Sequence, residues 1–284
     1  MRTPLLALIA AVAVAGLTLA APGAAFAAKA APGAASSTLT SLGNDVSWPQ
    51  CGKTLPSAPA FAVVGVNGGL ANDTNPCFAQ QLSWAQRSTT TAAPGQPNVA
   101  LYVNTANPGF AGSGRTSPWP ASNTYGGTTV PNPYGTCTPA PDGGASYTAA
   151  CAYMYGYARA YDDLHSRGVT GGAGYTWWLD VETENTWHPT DKPANAAVLE
   201  GMTDLFHSVR ARVGIYSTSS QWGAIAGTLR TGSSLAGLDN WIPGATSEKG
   251  ARSNCALSPF TPGSRITLTQ FVSKNLDYNV SCIG

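Results

Sequence analysis

Tyr175-Thr176-Trp177-Trp178-Leu179-Asp180-Val181-Glu182 is a short apolar run that ends on two acids. Its length and its aromatic and β-branched content read as a buried strand. On a strand, residues two apart project to the same face, so Asp180 and Glu182 point one way with Cα atoms roughly 6.5–7 Å apart. Carboxylates on an inward face are costly to bury, because each must be hydrogen-bonded or driven toward its neutral form. The run predicts a strand whose end serves chemistry rather than packing.

Similar apolar segments lie on both sides: Asp45-Val46-Ser47-Trp48, Phe61 to Val66, Val99 to Val103, Val213 to Tyr216, Asn240 to Ile242 and Ile266 to Phe271. Helix-like segments at Phe78 to Arg87, Ser146 to Arg167, Ala194 to Val209 and Ser220 to Leu229 alternate with them. That alternation predicts parallel β-α units and an α/β fold. Within the second of these helices Tyr153, Tyr157, Tyr161 and Leu164 recur at helical spacing and read as a core face, with Gly168 as the stop. From Thr105 to about Gly144 the chain is rich in Gly, Pro, Ser, Thr and Asn. A loop of that length following a strand projects from the C-terminal face, where β/α barrels place their active sites.

At the N-terminus Arg2, the apolar stretch Leu5 to Ala21, Pro22 and the triplet Ala25-Phe26-Ala27 read as a signal peptide over residues 1–27. A membrane anchor is disfavoured, since the run ends at Pro22 with no basic flank behind it. Residues 28–42, rich in Ala, Gly and Ser, read as a flexible segment. The roughly 240 residues of 43–284 suit one β/α barrel or two small domains, and no second low-complexity run divides them, so one domain is expected. The formal charge of +1 becomes zero without Arg2, and no run of Lys or Arg occurs beyond it. Nucleic acid and anionic membrane surfaces thereby lose their electrostatic argument as partners. Six cysteines in an exported chain predict three disulfides. Fifteen pairings are possible, and closeness along the chain favours Cys51-Cys77, Cys137-Cys151 and Cys255-Cys282.

With 10 Asp and 4 Glu in the chain, an Asp-x-Glu triplet is a weak signal alone, and a solvated strand end explains it equally. Its chemistry is nevertheless specific. Like-charge repulsion and desolvation hold one acid protonated near neutral pH while the other stays ionised, separating a proton donor from a charge stabiliser, as glycosidases require. Glu182 is the candidate donor and Asp180 the stabiliser. Asp45 and Asp277 lie in strand-like contexts, Asn44-Asp45-Val46 and Leu276-Asp277-Tyr278, and in a closed barrel the first and last strands are neighbours. Four carboxylates then converge; the alternative for Asp45 and Asp277 is local turn chemistry. His165, His188 and His207 show no metal-ligand spacing, and no Gly-x-Ser-x-Gly elbow occurs, so neither a metal nor a cofactor is expected.

Asp45-Val46-Ser47, Leu179-Asp180-Val181-Glu182, Gly214-Ile215-Tyr216, Trp241 and Gln270-Phe271 before Asp277 together resemble glycoside hydrolase family 25 over about Asn44 to Cys282. The resemblance implies an irregular, TIM-barrel-like β/α barrel and a lysozyme-like muramidase that cleaves peptidoglycan between N-acetylmuramic acid and N-acetylglucosamine. It matches Glu182 to the proton donor, Asp180 to its partner acid, and Asp45 and Asp277 to the acids near either end. It also implies a sugar groove walled by Trp48, Asn67, Tyr102, Asn104, Tyr216, Trp241 and Gln270, with the aromatics Trp119, Tyr125 and Tyr134 of the 105–144 loop either stacking on sugars or pinning the loop down. Three places depart from the family's pattern. Val66-Asn67-Gly68-Gly69 stands where a lysine and an acid precede glycine, Tyr102-Val103-Asn104 where Tyr-His ends the third strand, and Trp241-Ile242-Pro243 where Trp-x-Ala is usual. The expected protein is a secreted or cell-wall-associated monomer acting on a glycan; the alternative is a non-catalytic glycan-binding protein on a hydrolase-like barrel.

Overall fold

A computed structural model describes residues 41–283 apart from 58, 90–92, 94 and 112–117. The expected signal peptide and nearly all of the expected flexible segment lie outside the described residues. Leu42, which the expected boundary assigns to the flexible segment, already pairs with Val280.

Eight strands close a barrel: β1 (Leu42–Val46), β2 (Ala62–Gly65), β3 (Val99–Asn104), β6 (Thr176–Asp180), β7 (Arg212–Tyr216), β8 (Asp239–Ala245), β9 (Ile266–Ser273) and β10 (Leu276–Ser281). Around the barrel they run β1-β10-β9-β8-β7-β6-β3-β2. All neighbours are parallel except at β10, which is antiparallel to both β9 and β1. β9 and β10 form a hairpin whose turn residues, Lys274 and Asn275, both take the left-handed conformation, as the tight turns that match strand twist require. The α/β barrel is as the sequence predicts. Its irregularity lies in that hairpin and in the β1–β2 connection, where the described residues form a one-turn 3-10 helix, Trp48–Gln50, in place of an α-helix.

Among the described residues five α-helices cover the outside: α1 (Phe78–Ala85), α2 (Ala149–His165), α3 (Lys192–Ser208), α4 (Ser219–Ile225) and α5 (Glu248–Asn254). Side-chain caps start four of them. Thr148, Asp191, Thr218 and Ser247 accept from the backbone N–H three residues on, which satisfies one orphan donor of each first turn. α2 and α3 pack backbone to backbone: a Cβ built on Gly156 would lie 1.9 Å from the Val198 carbonyl oxygen, and one on Gly201 2.0 Å from that of Tyr153. Of the expected core face of α2, Tyr153, Tyr157 and Leu164 are buried and Tyr161 is half-buried against the core, and Tyr155 is buried as well.

Strand alternation separates two apolar layers. Trp177, Leu179 and Val181 face outward into the core beneath the helices, where Trp177 stacks on Phe206. Trp178 faces inward with Phe61, Val63, Trp241 and Leu268. Small residues on the inner face make room for these rings. A Cβ on Gly214 would come 2.3 Å from the Trp178 ring, and one on Gly43 equally close to Phe61. Gly214→Ala should therefore cost about 1–3 kcal/mol of stability by overpacking, measurable as a lowered urea midpoint at unchanged slope.

All three expected disulfides form, with Cα separations of 5.7, 4.6 and 5.4 Å in chain order. They tie the turn after β1 to the start of α1, the 105–144 segment to the first turn of α2, and the end of α5 to the end of β10. Several boundaries differ from expectation. The first strand comes three residues earlier than Asp45, and Ser47 and Trp48 leave it for the 3-10 turn because Pro49 has no N–H to continue a ladder. α5 is unforeseen, as its seven residues bury only Ala251. The small hairpin of β4 (Thr124–Tyr125) and β5 (Thr128–Thr129) is unforeseen too.

Candidate active site

The acids sit directly above the inner aromatic layer. Trp178 and Trp241 meet edge to face at 5.6 Å, and Tyr216 packs on Trp241 at 4.6 Å. Over this floor opens a cleft of about 320 Å³ lined by Asp45, Tyr102, Asp180, Glu182, Tyr216, Trp241, Gln270 and Asp277. Val46, Ser47, Pro49, Gln50 and Val272 complete its edge. Every strand contributing an acid does so near one end of the barrel, so the four carboxylates converge although their sequence positions span the chain.

Each acid is held by a distinct set of donors. Asp45 accepts from Gln270 Nε2 at 3.1 Å on both oxygens and from Asn279 Nδ2 at 2.6 Å. Tyr216 in turn donates to Gln270 Oε1 at 2.9 Å, fixing that amide's orientation. Asp277 stands opposite Asp45 in the β1–β10 register, so turn chemistry does not account for either acid. Asp180 Oδ2 accepts from Asn104 Nδ2 at 2.9 Å, while Oδ1 is buried without a hydrogen-bond donor. The backbone beneath is clamped: Thr105 and Asn185 donate to the Asp180 carbonyl, Ser217 to that of Val181, and Trp187 Nε1 to that of Glu182. Such bracing presents a carboxyl pair in one geometry.

Burial raises all four acids. It pushes Asp45 up to about 7, helped by the charge of Asp277 and opposed by its amide donors. Asp277 is raised by burial against the pull of Lys53. Asp180 is raised well above the carboxylate range by burial, with Glu182 as the next cause. Glu182 is raised by burial and by the charge of Glu184. Both acids of the pair are thus pushed toward their protonated forms, and Asp180 Oδ1, buried without a hydrogen-bond donor, is the oxygen that a proton on Asp180 would satisfy. That refines the expectation of an ionised Asp180, because Asp180 is 7% exposed and the more deeply buried acid resists charging.

These shifts make stability pH-dependent in a defined direction. A carboxyl whose folded pKa lies above its unfolded value stabilises the fold when protonated. That contribution is complete below pH about 4 and is lost as pH rises through the folded pKa. Asp45 and the buried Asp163, both raised to about 7 chiefly by burial, act in this window. Urea unfolding at about pH 5 should therefore give a free energy larger than at about pH 7.5, by on the order of a few kcal/mol.

Two residues expected on the groove wall stand elsewhere. Asn67 is fully buried behind β3, donating to Asp163 and accepting from the Asn104 backbone. Trp48 is exposed, and its indole lies over Gly69 rather than in the cleft. Asn104 reaches the site through Asp180. No described residue of the 105–144 loop lines the cleft. Its aromatics pin it to the body: Trp119 stacks on Tyr155 at 4.9 Å, Tyr125 donates to Asp162, and Tyr134 packs under Arg230. Sequence reasoning missed Gln50, Val272 and Asn279. Asn279 was within reach of a strand argument, since it lies two residues from Asp277 and so on the same face.

Comparison with known proteins follows the same lines. A family profile described as Lysozyme-like protein 1 matches residues 152–261. A Dictyostelium discoideum protein named Probable GH family 25 lysozyme 4 is 41% identical over 56 residues, which span 20% of this chain and 25% of that protein. The muramidase from Acremonium alcalophilum superposes with a TM-score of 0.51 at 16% identity, covering 84% of this chain and 92% of the other, and so shares the fold. That from Trichobolus zukalii has a TM-score of 0.49 at 14% identity over 84% and 92% of the two chains.

Proposed function

We infer that this chain is a lysozyme-like glycoside hydrolase of family 25 that cleaves the glycan strand of peptidoglycan. The observation that carries the reading is the Asp180–Glu182 pair: two inward carboxyls from one strand end, both raised by burial, over an aromatic floor; in the proposed resting state the two share one proton, held on Asp180. In the proposed reaction a sugar ring lies against Tyr102, Tyr216 and Trp241, and the glycosidic oxygen meets Glu182, the less buried acid of the pair. Glu182 delivers the shared proton to that oxygen as its bond to the anomeric carbon breaks. Asp180 is left ionised and stabilises the positive charge developing at the sugar. Asp45 and Asp277, across the cleft, are placed to orient the substrate's acetamido group or the incoming water.

The three disulfides and the N-terminal sequence support export, with residues 1–27 removed and the remainder acting at or beyond the cell wall. No helix among the described residues is long and apolar enough to cross a membrane. The zero net charge after cleavage fits a protein that meets glycan rather than nucleic acid.

The test is to incubate the purified chain lacking residues 1–27 with defined peptidoglycan and with chitin oligomers and to measure new reducing ends. Release from peptidoglycan supports the reading. Cleavage of chitin alone moves the substrate class, and glycan binding without hydrolysis establishes the non-catalytic alternative.

A further inference from the structure

Behind Asp180 a line of buried side chains leads away from the cleft. Asn104 Nδ2 donates to Asp180 Oδ2, and the backbone N–H of Asn104 donates to Asn67 Oδ1 at 2.8 Å. Asn67 Nδ2 donates to Asp163 Oδ1 at 3.0 Å and to the Asp73 carbonyl at 3.2 Å. Arg167 Nε donates to the same Asp163 oxygen at 2.6 Å, and its guanidinium also reaches the Ala71 and Asp73 carbonyls. Asn67 is 1% and Asp163 0% exposed, so neither meets a substrate.

Only one orientation of the Asn67 amide satisfies both sides, since an N–H faces its oxygen and a carboxylate faces its nitrogen. Burying Asp163 for packing alone is a poor bargain, because apolar replacements of buried ion pairs are often neutral or stabilising. What the network supplies that apolar packing would not is a fixed end of β3, and with it a fixed amide on Asp180.

We propose that Asn67, backed by the Asp163–Arg167 pair, is a positioning residue for the acid pair: it holds Asn104 so that its amide stays on Asp180. This rests on the reading that Asp180 and Glu182 carry the reaction. With Oδ2 occupied by a donor, Oδ1 is the oxygen left for the shared proton, and the donor favours the ionised form once the proton has gone. The other groups acting on Asp180 are Glu182 at its own strand end, Asn185 just beyond it, whose amide favours the ionised form but is committed to the Asp180 backbone carbonyl, Asp45 from β1, Tyr102 from β3 and Tyr216 from β7. None of them replaces the lost donor when Asn104 moves.

The experiment compares Asn67→Ala and the milder Asn67→Ser with the parent in the full secreted chain. It measures steady-state hydrolysis across pH and ¹³C-carboxyl NMR titration of Asp180. Expected are a kcat lowered about tenfold with KM within about twofold, and a basic limb moved up by about half to one pH unit, with the Asp180 titration moving alike. A merely structural Asn67 would lower Tm and leave the titration in place. Folded variants with parental kcat and parental titration overturn the proposal. If Asn67→Ala does not fold, Asn67→Ser reads the same quantities. An inactive parent would remove the hydrolase reading, and the NMR titration would still decide whether Asn67 controls Asp180.

Discussion

Glu182→Gln should abolish most turnover, lowering kcat by about two to four orders of magnitude while KM stays near that of the parent. A glycosidic oxygen is a poor leaving group unless it is protonated as the bond breaks, and Gln keeps the shape of Glu without a transferable proton. The substitution is structurally mild. Glu182 is only partly buried, lies after β6, and is anchored through its backbone carbonyl by Trp187, a bond that Gln keeps. Circular dichroism and Tm should match the parent, and glycan affinity should persist or rise slightly as Glu184 loses a like-charged neighbour. A folded Glu182→Gln protein with turnover within a few-fold of the parent would remove Glu182 from the role of donor.

The parts of this molecule legible in its sequence are those written by local periodicity. The run from Tyr175 to Glu182 declares both its strand and the shared face of its acids, because side-chain direction on a strand follows from spacing alone. The α2 tyrosines declare a core face in the same way. Cysteine pairing was legible because each pair is close along the chain and each bridge clips one connection. What escaped depends on neighbours far apart in sequence. Asn67 sits where a groove residue is expected, yet it is engaged by Asp163, nearly 100 positions on, and nothing in Val66-Asn67-Gly68-Gly69 signals that partner. Trp119 and Tyr134 could face a ligand or the body, and only the positions of Tyr155 and Arg230 decide for the body. α5 escaped for a different reason: a polar seven-residue helix held by a Ser247 cap and one buried alanine has no apolar stripe to detect.

The cleft also explains how a chain lacking charges on its second strand keeps an organised acid centre. Where Asn67 and Asn104 stand, neutral amides take over the task of orienting carboxylates, and Gln270 and Asn279 do the same for Asp45. Amide donors lower a carboxyl's proton affinity less than a cation would, so burial dominates and the acids titrate high. Such a site suits a reaction that needs a proton held in reserve more than a site built to bind a metal or a fully ionised cluster.

Asp180→Asn carries the second large effect and tests where that reserve proton goes. In the proposed reaction the resting proton sits on the buried Asp180 and is used through Glu182, leaving Asp180 charged when positive charge appears on the sugar. Asn cannot take up that charge, so kcat should fall by about two orders of magnitude or more. The pH profile should change with it. Without an ionisable neighbour Glu182 loses the coupling that divides the pair's titration into two steps, so its apparent pKa falls toward the value set by burial and Glu184, and the basic limb moves to lower pH. Asn104 and Asn185 remain as donors to this position, and the packing of β6 against Tyr216 is untouched, so folding should survive. The opposite result is equally informative: if Asp180 serves only as a neutral hydrogen-bond donor to Glu182, the amide of Asn supplies the same bond, and activity within a few-fold of the parent with an unmoved basic limb would show that Asp180 never carries the charge assigned to it.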